Sequence, residues 1–233
     1  VPAARLIHLY QETQIRIEAR RRYVYLAFSR SCKLPQVLGS YSTHSVAPLG
    51  LSPLQAGQVI AFEEPEGIHL QGKTGFAVAK WYAAVPNFRL PGRIRVVRGP
   101  EYEFFSEETQ TCFWSQPFTL SVHSSRMGYR LNEKLPGVSN LPGIASTAVC
   151  KGIIQVTPDG SPIILQPDAQ TTGGYPRLGW VVQEDLSTLT QMLPGEMFMF
   201  QEIGEEEAER LFLARQESIK QLKSAIRERS RGY

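Results

Sequence analysis

Arg126 and Arg130 bracket a glycine in the run Ser124-Ser125-Arg126-Met127-Gly128-Tyr129-Arg130. The run follows a stretch that reads as a strand. A guanidinium suits a bidentate grip on a carboxylate or phosphate, and a glycine lets a ligand come close. The other reading is a strand-end turn with two solvated arginines. A second group sits in Gln155-Val156-Thr157-Pro158-Asp159-Gly160. Asp159-Gly160 reads as a hairpin turn. Gln155 lies mid-strand among apolar residues, so once buried its amide either braces a loop or faces a ligand. The third is Pro167 to Gly179, PDAQTTGGYPRLG. Gln170, Thr171 and Thr172 offer donors and acceptors there. Gly173-Gly174 lets backbone amides approach a ligand or another chain, and Tyr175-Pro176 stiffens the exit. A structured loop that satisfies its own backbone is the competing reading. Asp168 is the carboxylate of this loop, and no pair of carboxylates stands out as acid and base.

Other chemistry is missing. The sequence holds no Gly-x-Ser-x-Gly elbow. His8, His44, His69 and His123 are scattered, without metal-ligand spacing; His123 stands out only for ending a strand before Ser124. Cys32, Cys112 and Cys150 are odd in number and far apart, which argues against a zinc knuckle or a disulfide framework and fits a reducing cytoplasm. No metal site is expected. A net charge of +3 is too small to imply nucleic acid. No apolar run reaches the ~18 residues of a membrane helix, and no signal peptide is visible in VPAARLIHLY.

The elements that must position these groups read mostly as β. With 42% hydrophobic and 20% charged residues in 233, a packed core is expected. LIHLY and QIRIEAR (14–20) alternate, YVYLAFS (23–29) reads as a strand buried on both faces, and QVIAFEE (58–64) as another short one. KLPQVLG and PLGLSPLQAGQ are turn-rich connectors. RIRVVRGPEYEFF alternates until Gly99-Pro100, and FTLSVHSS alternates through Phe118, Leu120 and Val122. GIIQVT and PIILQ form a hairpin across PDGS, and GWVVQ and MFMFQEI close the series. DLSTLTQMLPGE reads as a short helix or turn capped by Asp185 and ending at Pro194-Gly195. Residues 205–233 read as a C-terminal helix, acidic first and basic later, with a stripe at Ala208, Leu211, Phe212, Ile219, Leu222 and Ile226 that Arg215 interrupts. It would dock on its own body or on a partner. The expected organisation is a first β lobe over 1–75, a second β-barrel lobe over 76–203 carrying the loop, and the helix over 204–233.

The stretch GIIQVTPDGSPIILQPDAQTTGGYPRLGWVVQEDLSTLTQMLPGE, with RIRVVRGP, SSRMGYRL and RYVYLAFSRSCKLPQVLGSYST, resembles the allophanate hydrolase subunit 2 family. That family includes KipA, the C subunit of bacterial 5-oxoprolinase, and half of the carboxyltransferase domain of urea carboxylase. The resemblance runs from about residue 5 to the terminal helix. It lacks the family's opening segment of several dozen residues, so it implies a fragment or trimmed form. Ser29-Arg30 replaces the usual Gly-Gly, Gln58 the usual Asp, and Ser125 the Asp before Arg126.

The resemblance implies mainly β architecture: cyclophilin-like β-barrel lobes with a C-terminal α-helix. It implies a subunit 1 partner, similar to KipI or to the B subunit of 5-oxoprolinase, in a heterotetramer or larger. Together they would act on a small cyclic amide or carboxylate. ATP would be bound on this chain or on the partner. Two alternatives stand beside this hydrolase reading. One is the carboxyltransferase half of a biotin-dependent urea-type carboxylase, whose biotin would ride on another chain. The other is a non-catalytic KipA-like regulator that binds a kinase inhibitor. From side-chain chemistry, Arg126, Gln155 and Gln170 are the expected catalytic residues. Ser125, Asp168, Thr171, Thr172, Gly173, Gly174 and Tyr175 are the expected substrate contacts. No membrane or nucleic-acid partner is expected.

Overall fold

The computed structural model describes residues 6–9, 13–18, 21–44, 47, 49–63, 75–81, 92–139, 141 and 143–230. Two compact units emerge. The smaller comprises Ile7–Arg16 and Val24–Ala79; the larger comprises Val1–Leu6, Ile17–Tyr23 and Lys80–Tyr233. In the smaller unit β1 (Ile7–Leu9) pairs antiparallel with β2 (Phe76–Val78), His8 opposite Ala77. Single bridges Cys32–Phe62, Val37–Ser40 and Thr43–Gly50 hold the connecting loops.

Three strand expectations fail among the described residues of this N-terminal region. Residues 24–28 form no strand, and Val24, Tyr25, Leu26 and Phe28 are exposed rather than buried on both faces. The described part of 14–20 is likewise irregular, and of 58–64 only Phe62 joins a bridge. An apolar or alternating pattern marks a face that could be buried; a strand also needs a neighbouring backbone to pair with.

The larger unit is built as the alternation predicts. β3 (Arg93–Arg98) buries Ile94 and Val96 completely. A 3-10 turn (Tyr102–Phe104) leads to α1 (Glu107–Ser115), a helix that the strand patterning hides. Ser106 caps α1, its hydroxyl accepting from the Thr109 amide at 3.2 Å, and Glu107 and Glu108 occupy the first turn. There follow β4 (Phe118–Thr119), β5 (Gly128–Arg130), β6 (Thr147–Ala148), β7 (Ile153–Val156), β8 (Pro162–Leu165), β9 (Thr172–Gly173), β10 (Arg177–Val181), α2 (Gln183–Thr190), β11 (Met197–Glu202) and α3 (Glu205–Ser230). Seven strands form one sheet in the order β4-β11-β3-β10-β7-β8-β5, with β11 and β3 parallel and the other neighbours antiparallel.

The two edges of that sheet meet. Leu120 bridges Leu131, the Ser121 amide donates to the Arg130 carbonyl at 2.9 Å, and the Asn132 amide donates to the Thr119 carbonyl at 3.1 Å. The sheet therefore curls on itself, and its inner face is apolar. Phe113 of α1 stacks on Phe200 at 4.5 Å, with Phe118 and Phe198 around them. Each such fully buried side chain contributes about 2 kcal/mol. The mainly β, barrel-like fold with a terminal helix is borne out, as is the hairpin: Gly160 takes φ +84° between β7 and β8.

Asp185 is not the cap of α2. Val182 occupies that position, without a side-chain bond, and Asp185 lies inside the first turn. Its carboxylate accepts from the Arg95 backbone amide at 2.8 Å, from Nε at 3.0 Å and from Nη2 at 2.6 Å. A cation on β3 prevails over the helix's own amides because it offers a charged fork as well as a main-chain donor. Asp185→Ala, which leaves Arg95 unpaired, should lower unfolding free energy by about 3 kcal/mol in urea melts; replacing both partners with apolar residues should cost less.

Candidate functional site

Chain-breakers at both ends free residues 167–176 from the seven-stranded sheet, and three sets of contacts then fix this loop. At its entrance the Asp168 amide donates to the Arg126 carbonyl at 3.0 Å. The Asp168 carboxylate pairs with the Arg126 guanidinium, Nε at 2.9 Å and Nη2 at 3.3 Å. The arginine fork expected to grip a substrate thus holds a carboxylate of its own chain, while 51% of the Arg126 side chain stays open to solvent. Ser125 is exposed and builds the turn beneath it: its amide donates to the Gly128 carbonyl at 3.0 Å and its hydroxyl accepts from the Met127 amide at 3.2 Å. His123 is exposed beyond β4 and its amide donates to Ser121 Oγ.

In the middle, β9 pairs with β6, Gly173 opposite Thr147 and Thr172 opposite Ala148, and the Thr171 carbonyl accepts from the Val149 amide at 2.9 Å. Gln155 lies beneath, 2% exposed, and its Nε2 donates to the Tyr175 carbonyl at 3.2 Å. Gly173 is where the loop touches it. A Cβ there would stand 2.8 Å from Gln155 Nε2, and one at Gly174 would stand 3.2 Å from the Ile144 carbonyl oxygen. Both glycines therefore serve the loop's approach to its own protein. Neither has a positive φ, so close packing and not backbone conformation sets the requirement.

At its exit stands an ion pair without a signature in the sequence, since its members are 76 positions apart. The Glu101 carboxylate accepts from the Arg177 amide at 3.0 Å, Nε at 2.8 Å and Nη2 at 2.6 Å. The Arg177 fork, aided by its backbone amide and opposed by burial, holds the Glu101 carboxyl below the usual carboxylate range; Arg177 is raised by the same contact. The Arg177 amide can reach Glu101 because β10 carries an irregularity between Arg177 and Gly179 in its pairing with β7.

What remains outward is a polar rim. Gln170, Thr171, Thr172 and Tyr175 are exposed, Asp168 is half-buried, and Gln155 sits below the rim rather than on it. The loop joins Arg126 at its entrance and Gln155 in its middle, so the three groups singled out in the sequence come together. Among the described residues no cluster of three or more His, Cys, Asp or Glu could hold a metal ion, and no helix is long and apolar enough to cross a membrane.

Known proteins share this sequence pattern and this fold. A family model described as "Carboxyltransferase domain, subdomain A and B" matches residues 1–202. The 5-oxoprolinase C subunit of Escherichia coli (strain K12) is 34% identical over 184 residues, 79% of this chain and 57% of the relative. Its counterpart of the same name from Haemophilus influenzae is 32% identical over 211 residues, 89% of this chain and 65% of the relative. The chain therefore spans less than two thirds of the length of these relatives. The Kluyveromyces lactis urea carboxylase structure superposes with a TM-score of 0.67 at 23% identity, over 82% of this chain and 18% of that one, which shows a shared fold.

Two outcomes test this geometry. In a double-mutant cycle, Gly173→Ala should destabilise by about 1–2 kcal/mol, and adding Gln155→Ala should cost less than the sum of the two single changes, because the clash is with that amide. The Glu101 pair should also make stability pH-dependent. A carboxyl lowered on folding contributes fully above its unfolded value of about 4.3 and loses that contribution as pH falls through the folded value. Urea melts between neutral pH and pH ~3 should show this loss, and Glu101→Gln should diminish it.

Proposed function

We propose that this chain, which belongs to the carboxyltransferase domain family of subdomains A and B, is a subunit of a 5-oxoprolinase-like hydrolase that opens a small cyclic amide. Its relatives bear out the resemblance carried by the QTTGGYP loop. In this reading it works with a KipI-like subunit 1 partner, and the loop faces a carboxylate-bearing substrate. The observation that carries the reading is the rigid rim: Gln170, Thr171, Thr172 and Tyr175 face outward on a loop fixed at its entrance, middle and exit. Binding groups work best when such a second layer holds them in place.

The roles follow from where each group lies. Arg126 holds the substrate carboxylate with the guanidinium edge that Asp168 leaves open, and Asp168 fixes its orientation. Gln170, Thr171 and Thr172 orient the amide. Gly173 faces Thr147 in the β6–β9 ladder, so the Gly174 amide is assigned to the oxygen that gains charge as the amide opens. Gln155 is a positioning residue, acting through the Tyr175 carbonyl. The Arg177 fork is closed by Glu101, and the one edge of Arg126 that Asp168 leaves open is given to the substrate carboxylate. ATP is therefore assigned to a partner subunit.

The second reading is carboxyl transfer from biotin carried on another chain, favoured by the description of the family model. Avidin blotting of co-purified chains separates the two. For the leading reading, Arg126→Ala in a complex reconstituted with its partner subunits should lower kcat/KM for 5-oxoproline by about a hundredfold at a temperature where the variant complex stays folded. An unchanged rate overturns the role of Arg126.

A further inference from the structure

α3 is 26 residues long, about 39 Å at a rise of ~1.5 Å per residue, yet none of residues 205–229 is fully buried. Helices in proteins draw most of their stability from packing one apolar face, and α3 packs only partly, its neighbour among the helices being α2. Its sequence nevertheless carries a seam. Ala208, Phe212, Arg215, Ile219, Leu222 and Ile226 alternate spacings of four and three residues, the repeat that lets two helices interlock. Phe212 is 41% exposed and the other five are half-buried.

Beside the first turns of α3 lies a groove of about 810 Å³. Val97, Pro100 and Trp180 line the sheet side, and Ala208, Glu209 and Phe212 line the helix side. Trp180 is 52% exposed. Glu184, on the same wall, has both carboxylate oxygens buried without a hydrogen-bond partner. Val97, Pro100, Trp180 and Phe212 make the groove apolar; Glu205 and Glu209 edge it on the helix side, and its one lining cation, Arg98, is paired with Glu202, so it suits an apolar helix face flanked by cations.

The second half of α3 has that chemistry. Residues 205–217 carry five acidic and two basic side chains; residues 218–230 carry four basic and one acidic. We propose that two copies of this chain associate through α3 in antiparallel pairing, each seating Leu222 and Ile226 of the second copy in its groove beside Phe212 and Trp180. Centred on Glu217, this pairing sets Ala208 against Ile226, Phe212 against Leu222 and Arg215 against Ile219. Glu209 then flanks Lys223 of the second copy, twice by symmetry. The Arg215 stem covers Ile219 while its head reaches the rim. Parallel pairing fails on the same residues, because it sets Arg215 against Arg215 and acidic half against acidic half.

Sedimentation equilibrium of the full chain at micromolar concentration tests this. The wild type should be dimeric, and Leu222→Glu, which sets a carboxylate against Phe212 and beside Glu209 of the second copy, should be monomeric. Glu209→Lys should weaken the dimer about tenfold by placing lysine against lysine, and adding Lys223→Glu should restore it. The charge reversal decides the matter even if Leu222→Glu unwinds the helix. A monomeric wild type, a double reversal no tighter than Glu209→Lys, or association only with a different subunit overturns the proposal.

Discussion

Glu101 accepts three hydrogen bonds from one residue, the Arg177 amide and two edges of its guanidinium, and the neighbourhood of the candidate site depends on that contact. Arg177 is both the first residue of β10 and the end of the loop. Its amide can turn to Glu101 only because β10 is irregular there, and the irregularity brings backbones very close. A Cβ on Gly99 would run into the Arg177 carbonyl, and one on Gly179 would press on Val96 and the Val97 carbonyl. Two glycines and one ion pair therefore solve a single problem: ending a loop and entering a central strand within three residues. Gln155 pairs with Arg177 across β7 and β10, so the amide that braces Tyr175 is fixed by the same arrangement.

The same device recurs at the start of α2. Asp185 takes the backbone amide and the fork of Arg95 as Glu101 takes those of Arg177, and the two pairs tie the α2 start and the loop exit to β3 and its following turn. Arg98, between them, lies over the Tyr102 ring at 4.4 Å and pairs with Glu202. These charges are satisfied around an interior that is apolar and aromatic. Polar groups left facing solvent are consequently informative. Two such stretches are the loop rim, with the open edge of Arg126, and α3. The first suits a small molecule and the second suits another helix.

In the proposed reading, a loop braced from below and open above is one part of an active site completed by other subunits. The loop's own glycines are engaged by Gln155 and by residues 144–147, so precision is supplied from below while contact is offered above. Immobilising donors before substrate arrives is how a loop becomes useful for catalysis, since no reorganisation is then required during the reaction.

Local patterns are legible in the sequence where they depend on neighbours in the chain. Alternation identifies β3, β7, β8 and β11, Asp159-Gly160 identifies the hairpin, and the acidic-to-basic gradient with its apolar stripe identifies α3. Crowded chain-breakers mark residues 167–176 as a special loop. Tertiary structure decides the rest, because it depends on groups that meet across long separations. Residues 24–28 carry a strand's composition but find no described strand to pair with. Asp185 looks like a cap until Arg95 arrives from β3, and Arg126 looks like a free anion grip until Asp168 arrives, 42 positions later. Glu101 and Arg177, 76 positions apart, leave no trace in the sequence. Side-chain type sets what each residue can bond; only the folded chain decides which partner is near enough to bond first.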